Sequence, residues 1–348
     1  PSGRIFGMKI SARQHEILIK TLELYIQTGT PVGSNVLREM VDASSSTIRA
    51  ELANLESEGL LTHPHTSAGR VPTDAGYRYY VDALMIEEDL QEEEASFRVA
   101  EGYGNVDELL QGVSEGMSEV TRLLAVVAGP RAFGDSVARV DHLPLREGAH
   151  LIVILTESGL SSSTTITLPY YIEEEELREI LHSLNAFLSG HPVNANLELA
   201  TARRFLADYN PLAVGAVLKA VEALSRATER GLFVRGASAL LARLDDLDPA
   251  SLSAVVEIFE RRRWLLKLVG DALKRSVSNP LGVAVSIGAE SGFYNLANTS
   301  LVAAAYSYRE RPYGVVTLIG PKRMEYDAAI STVRSAAETL TYFLDSRF

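Results

Sequence analysis

The chain has 348 residues, 46% of them hydrophobic, no cysteine, and a formal net charge of -12 at pH 7. That length exceeds what one core usually fills, so two or three domains are expected, and the lack of cysteine excludes disulfides and thiolate chemistry. No apolar run approaches the roughly 18 residues of a membrane span, and the acidic balance excludes indiscriminate nucleic-acid binding by the whole molecule, so a soluble cytoplasmic protein is expected.

Pro1 to Gly7 precede Met8 and are expected to be an appendage rather than a targeting peptide. A helix opens at Ser11, where Ser11-Ala12-Arg13-Gln14 has capping-box spacing, and Ile17, Leu18, Thr21, Leu24 and Tyr25 form its apolar face. Gly29-Thr30-Pro31 ends it. A short second helix is expected to bury Val36, Leu37 and Met40, followed by a tight turn at Val41-Asp42-Ala43.

The next helix turns Ile48, Leu52 and Leu55 inward. Its opposite side carries Ser46, Thr47, Ala50, Ala53 and Asn54, with Arg49 at the edge. A helix lying deep in a major groove needs such a face of small side chains, with an Arg near its first turns to reach bases and phosphates. Ser44 and Ser45 stand where hydroxyls and free helix amides meet a phosphate, or where they simply cap the helix. After Gly59, Leu60 to His63 and Val71-Pro72 read as two strands of a hairpin wing whose loop contributes His65, Thr66, Ser67 and the cation Arg70. The candidate DNA contacts are therefore Ser44, Ser45, Ser46, Thr47, Arg49, Asn54, His65, Thr66, Ser67 and Arg70. For Arg49 the competing reading is a helix-surface salt bridge with Glu56 or a neighbour. Through Ile86, eight Lys/Arg face nine Asp/Glu, leaving -11 of the charge for the rest, so only this stretch can approach a duplex without strong repulsion.

Thr73 caps a further helix packed through Tyr77, Tyr80, Val81 and Leu84. The acidic run from Glu87 to Glu94 marks a boundary, read as a solvated helix end or linker. A helix from Val106 to Leu123 and a strand over Ala125 to Ala128 follow. Ser136 to Leu145, His150 to Thr156 and Ser161 to Leu168 predict an antiparallel meander. Helices are expected over Glu173 to Leu188, around Ala202 to Ala207, and over Pro211 to Glu229; Leu177, Ile180, Leu181, Leu184 and Leu188 form an apolar stripe chosen as a dimer surface. Then come a strand at Gly231 to Arg235, a helix from Leu252 to Lys274 and three strands at Leu281 to Ile287, Ser300 to Tyr306 and Tyr313 to Ile319. A closing helix runs from Tyr326 to about Leu344, and the whole implies mixed α+β architecture.

Catalytic signatures are missing. His63-Pro64-His65 has no nearby Cys or carboxylate cluster, His15-Glu16 lacks a second ligand histidine, and no phosphate loop, nucleophile elbow or dinucleotide fingerprint occurs. No enzyme, no metal and no cofactor are expected. Arg323, in the turn Gly320 to Met324, is expected to make a structural or interdomain pair.

Thr28 to Ser34, Ser46 to Arg49, Leu55-Glu56 with Gly59-Leu60, and His65 to Thr73 with Gly76-Tyr77-Arg78 resemble the bacterial heat-inducible transcription repressors of the HrcA family, as do Ile287 to Glu290 and Ile319 to Tyr326. The resemblance runs from Met8 to Phe348. It implies an α+β multidomain fold: a winged helix-turn-helix over 8–86, an acidic linker over 87–105, a GAF-like domain over 106–131 and 231–348, and an inserted dimerisation domain over 132–230, with an antiparallel sheet flanked by helices. It further implies a homodimer on double-stranded DNA at an inverted-repeat (CIRCE) operator ahead of chaperone operons, kept active by the GroEL chaperonin, with no reaction catalysed and no membrane. Where the family often has Asn after the Ile-Arg pair, this chain has Ala50, which removes one bidentate contact to adenine. The alternative is a winged-helix regulator whose GAF-like domain senses a small-molecule effector.

Overall fold

A computed structural model describes residues 10–64, 69–88, 103, 105–129, 137–146, 148–156, 161–188, 199–228, 231–238, 262–292 and 296–347. The chain forms two compact units, Pro1–Val127 with Val234–Phe348, and Ala128–Phe233. Arg131, Asp89 to Glu94, and 252–261 of the expected long helix lie outside the described residues.

The first unit begins with α1 (Ala12–Thr28), where Ser11 Oγ accepts from the Gln14 amide while the Gln14 side chain accepts from the Ser11 amide, the expected capping box. Gly29 ends α1 at φ 68°, a left-handed conformation that costs glycine nothing. The buried row of α1 is Ile17, Leu18, Thr21, Leu22 and Ile26, which displaces Leu24 and Tyr25 to half-buried positions. In α2 (Ser34–Leu37) the expectation fails more clearly: Val36 and Met40 are each 51% exposed. Ser34, Leu37 and Val41 occupy the inward row, and one turn of helix cannot face a second row to the same core.

The third helix, α3 (Ser45–Ser57), buries Ile48, Leu52 and Leu55 as its spacing requires. Strands β1 (Leu61–Thr62) and β2 (Val71–Pro72) pair antiparallel. Thr73 Oγ1 accepts from the Gly76 amide at 3.1 Å and so caps α4 (Asp74–Glu88). This helix buries Tyr77, Tyr79, Tyr80, Val81, Ala83 and Met85, more than one face, because α1 covers one side and elements from the end of the chain cover another; Leu84 is only half-buried. Next, α5 (Val106–Thr121), capped by Asn105, leads into β3 (Leu124–Ala128), every residue of which is buried.

In the second unit, β4 (Val137–Arg146), β5 (Ala149–Thr156) and β6 (Ser161–Thr167) form the expected antiparallel meander in the order β4-β5-β6. Three helices follow, α6 (Glu174–Leu188), α7 (Leu199–Phe205) and α8 (Pro211–Thr228). Val140, Ile152, Ile154 and Ile166 on the inner sheet face share one core with Leu177, Ile180, Leu181, Leu184 and Leu188 of α6 and with α8. The apolar stripe of α6, expected at a dimer surface, is thus spent on its own sheet. Among the described residues the other sheet face is left open instead: Leu143 and Leu145 are each 57% exposed, and Leu155, opposite Arg139 further along β5, is exposed as well.

The chain returns to the first unit through β7 (Leu232–Arg235), followed by α9 (Arg262–Ser278), β8 (Val283–Ile287), a 3-10 turn (Gly288–Ser291), β9 (Thr299–Tyr308), β10 (Arg311–Pro321) and α10 (Tyr326–Arg347). The sheet order is β7-β3-β10-β9-β8, with the β9–β10 hairpin turned by Arg309 and Glu310 at positive φ. One face carries α10 over β9 and β10, anchored by the fully buried Tyr326, whose hydroxyl donates to Lys322 O at 2.9 Å and pairs with Ser300 Oγ at 2.6 Å.

Candidate nucleic-acid interface

The N-terminus of α3 is organised by hydroxyls. Ser44 is the N-cap, accepting from the Thr47 amide at 3.2 Å, and its Oγ lies 2.8 Å from both Ser46 Oγ and Thr47 Oγ1. Ser45 turns the other way, donating to Asn35 Oδ1 at 3.1 Å and pairing with Ser34 Oγ at 3.2 Å, so it ties α3 to α2 rather than standing free. Ser44 and Ser46 are exposed and Thr47 half-buried.

Arg49, Ala50, Ala53 and Asn54 are exposed along the side of α3 that faces away from Ile48, Leu52 and Leu55. Arg49 makes no ion pair among the described residues, so the competing reading of a pair with Glu56 does not describe this structure. Asn54 donates to Glu51 Oε2 at 3.1 Å, and Gln14 donates to the same oxygen at 3.0 Å, which holds that carboxylate at the margin of the face. The resulting surface is shallow, with one long cation and otherwise small side chains.

The hairpin carries less free charge than its sequence suggested. Arg70 Nε lies 3.0 Å from Glu56 Oε2, an ion pair without hydrogen-bond alignment, and only 17% of the Arg70 side chain is exposed. The other oxygen of Glu56 pairs with His63 Nδ1. Meanwhile Arg70 exchanges both backbone hydrogen bonds with Val32 at 2.9 Å, zipping the hairpin to the segment after α1. Gly69 permits this approach: a Cβ there would stand 2.7 Å from the Pro31 carbonyl carbon. His65, Thr66 and Ser67 lie outside the described residues. Sequence reasoning considered Glu56, in the last turn of α3, only as a partner for Arg49 and missed its pairing with Arg70 and His63, because both partners lie beyond the end of the helix.

Among the described residues no group of three His, Asp or Glu could hold a metal, and no helix is long and apolar enough to cross a membrane. Arg323 donates to Ile26 O at the end of α1 at 3.1 Å, a contact of the expected structural kind.

The model of the HrcA protein C-terminal domain matches residues 107–330, more than half of the chain. The chain belongs to the HrcA family. Heat-inducible transcription repressors HrcA from Desulfitobacterium hafniense and Xylella fastidiosa are 30% and 33% identical to it, covering 98% and 96% of this chain and 99% and 96% of their own lengths. A repressor of the same name from Methylococcus capsulatus is 32% identical over 97% of both chains. These relatives are named as transcription repressors, not as enzymes. A crystal structure of a hypothetical protein at 2.2 Å superposes with a TM-score of 0.62 at 26% identity, covering 97% of this chain and 99% of that one.

Proposed function

We propose that this chain is a cytoplasmic, dimeric transcriptional repressor that binds an inverted-repeat operator. In this reading 8–86 is a winged helix-turn-helix with α3 in the major groove and the β1–β2 hairpin as its wing, the five-stranded sheet and its helices are the GAF-like domain, and the second unit dimerises. The observation that carries it is the exposed face of α3, where Arg49, Ala50, Ala53 and Asn54 let a helix enter a groove without steric obstruction. The outer sheet face with Leu143, Leu145 and Leu155 replaces the α6 stripe as the dimer surface, since it is an apolar sheet face left exposed among the described residues. The operator is of the CIRCE type, ahead of chaperone operons, and GroEL maintains the active form; these points rest on family membership. Binding measured across salt concentration on the inverted repeat, a scrambled repeat and a half-site tests the reading, which equal affinity for all three overturns.

A second reading, an effector-sensing regulator, is favoured by an open cavity of about 590 Å³ lined by Val283, Ala304, Ala305, Arg334, Glu338 and Tyr342. Titration with small zwitterionic metabolites that leaves operator affinity unchanged dismisses it.

A further inference from the structure

Three sequence motifs that DNA contact does not use, Gly76 to Arg78, Ile287 to Glu290 and Ile319 to Tyr326, meet at one place in the first unit. Arg78 Nε donates to Glu290 Oε1 at 3.0 Å, its Nη2 pairs with Glu290 Oε2, and the same Nη2 donates to Val285 O at 2.8 Å. The third nitrogen reaches Asp82 Oδ1 at 3.3 Å. Glu290 is held in turn, since its Oε2 accepts from the Ile287 amide at 2.9 Å and its backbone oxygen accepts from Arg275 Nη1 at 3.1 Å. One helical turn before Arg78, Asp74 Oδ1 accepts from Lys322 Nζ at 2.6 Å. Gly288 makes room for this pair, because a Cβ there would stand 2.6 Å from Asp74 Oδ2.

These contacts share a logic. Among the described residues β8 ends the sheet, so its outer backbone groups have no described strand to pair with. Side chains fill that role: Asn279 donates to Val283 O, Glu290 accepts from the Ile287 amide, and Arg78 donates to Val285 O. Arg78, however, belongs to α4, which also packs on α1 and anchors His15 through Tyr79, 2.8 Å away. The rings of Tyr77 and Tyr80 lie 6.0 and 6.5 Å from that of Tyr326 and supply apolar adhesion, which is non-directional. The charged pairs on either side of them fix register and angle.

We propose that Arg78–Glu290–Val285 and Asp74–Lys322 form a latch that sets the orientation of the DNA-reading module on the sheet, Arg78 and Glu290 being positioning residues for two-site DNA recognition. The proposal rests on the repressor reading above. Two reading helices can select a repeat of one spacing only if each is rigidly joined to its protomer. Without the latch, each module should still hold a half-site while the pair tolerates wrong spacings.

The chain has no cysteine, so Ser57→Cys and Glu338→Cys, both at exposed positions, provide a spin-label pair in the full-length protein, diluted with unlabelled chain. One narrow distance distribution is expected, broadened by Arg78→Gln and by Glu290→Gln; the latter keeps the side chain's shape should the former fail to fold. In parallel, discrimination against a repeat lengthened by about 5 base pairs, half a turn, should drop about tenfold in either variant while half-site affinity stays within about twofold. An unchanged distance distribution or unchanged spacing discrimination overturns the latch. A wild-type chain that does not prefer the repeat to the half-site overturns the repressor reading instead, and the distance measurement still decides the latch.

Discussion

The pairing of Arg70 with Glu56 leads to a quantitative expectation for Glu56→Gln. In the wild-type chain the one wing cation among the described residues is engaged by an acid within its own module. Glutamine preserves size and can still meet His63, but it releases Arg70 to a phosphate. Each phosphate neutralised steepens the dependence of log affinity on log salt by about 0.9, so two protomers steepen it by about 1.8. Between 50 and 200 mM salt, about 0.6 log units, any advantage of the variant should therefore shrink roughly 12-fold. The fold should be little affected, because a partly exposed pair contributes about 1 kcal/mol or less.

The assay is operator binding at four or five salt concentrations, with Arg70→Gln and the double variant closing the cycle. Arg70→Gln should abolish the added slope, since no released cation is then present. Parallel salt dependences for wild type and Glu56→Gln would refute the reasoning and make Arg70 a structural residue of the hairpin.

Arg49→Ala should cost about 1 to 3 kcal/mol of operator binding with the thermal midpoint unchanged, because the side chain is exposed and makes no ion pair among the described residues; a lowered midpoint with normal binding counts against a reading role. Leu143→Asp should shift sedimentation from dimer toward monomer without unfolding, whereas Leu184→Ala, fully buried in the second unit, should cost about 2 to 5 kcal/mol of stability by denaturant titration. His142 should make the second unit acid-sensitive. Burial first, and then the neighbouring His150, hold its pKa below the usual 6.5, so the neutral ring is favoured in the folded state. Stability is then full above the unfolded value and lost as pH falls through it toward the folded one. Urea midpoints at about pH 7.5 and 5.5 should differ less in His142→Gln than in the wild type.

Local chemistry made some elements legible. The capping box at Ser11, the antiparallel meander of β4 to β6 and the inward row of α3 each follow from neighbouring residues, and each forms as expected. What escaped depends on partners distant in sequence. An apolar stripe such as Leu177 to Leu188 says that something covers it, not whether the cover is its own sheet or a second chain. For α2, four residues of helix were too few for periodicity to separate Leu37 from Val36 and Met40. Glu56 became meaningful only when the hairpin folded back 14 residues later. Arg78 and Glu290, 212 residues apart, show no mutual pattern in the sequence at all.

The distribution of cations bears on how selectivity arises. In the N-terminal module Lys20 pairs with Glu23, Arg70 with Glu56, and Arg78 with Asp82 and Glu290. Arg13, Arg38 and Arg49 are exposed and make no ion pair among the described residues. Three such cations among the described residues would contribute a slope of about 2.7 to one module's non-specific binding, modest for a protein that must search a whole chromosome. Pairing cations internally lowers affinity for every sequence alike, and so costs the operator complex nothing in relative terms. On the proposed reading, the operator is then distinguished by what is not electrostatic: a small-residue helix face that fits the groove, repeated in a second copy at a fixed distance. A reading head this weak gains selectivity only when its angle to the rest of the protomer is fixed, and Arg78 and Lys322 are the side chains placed to fix it.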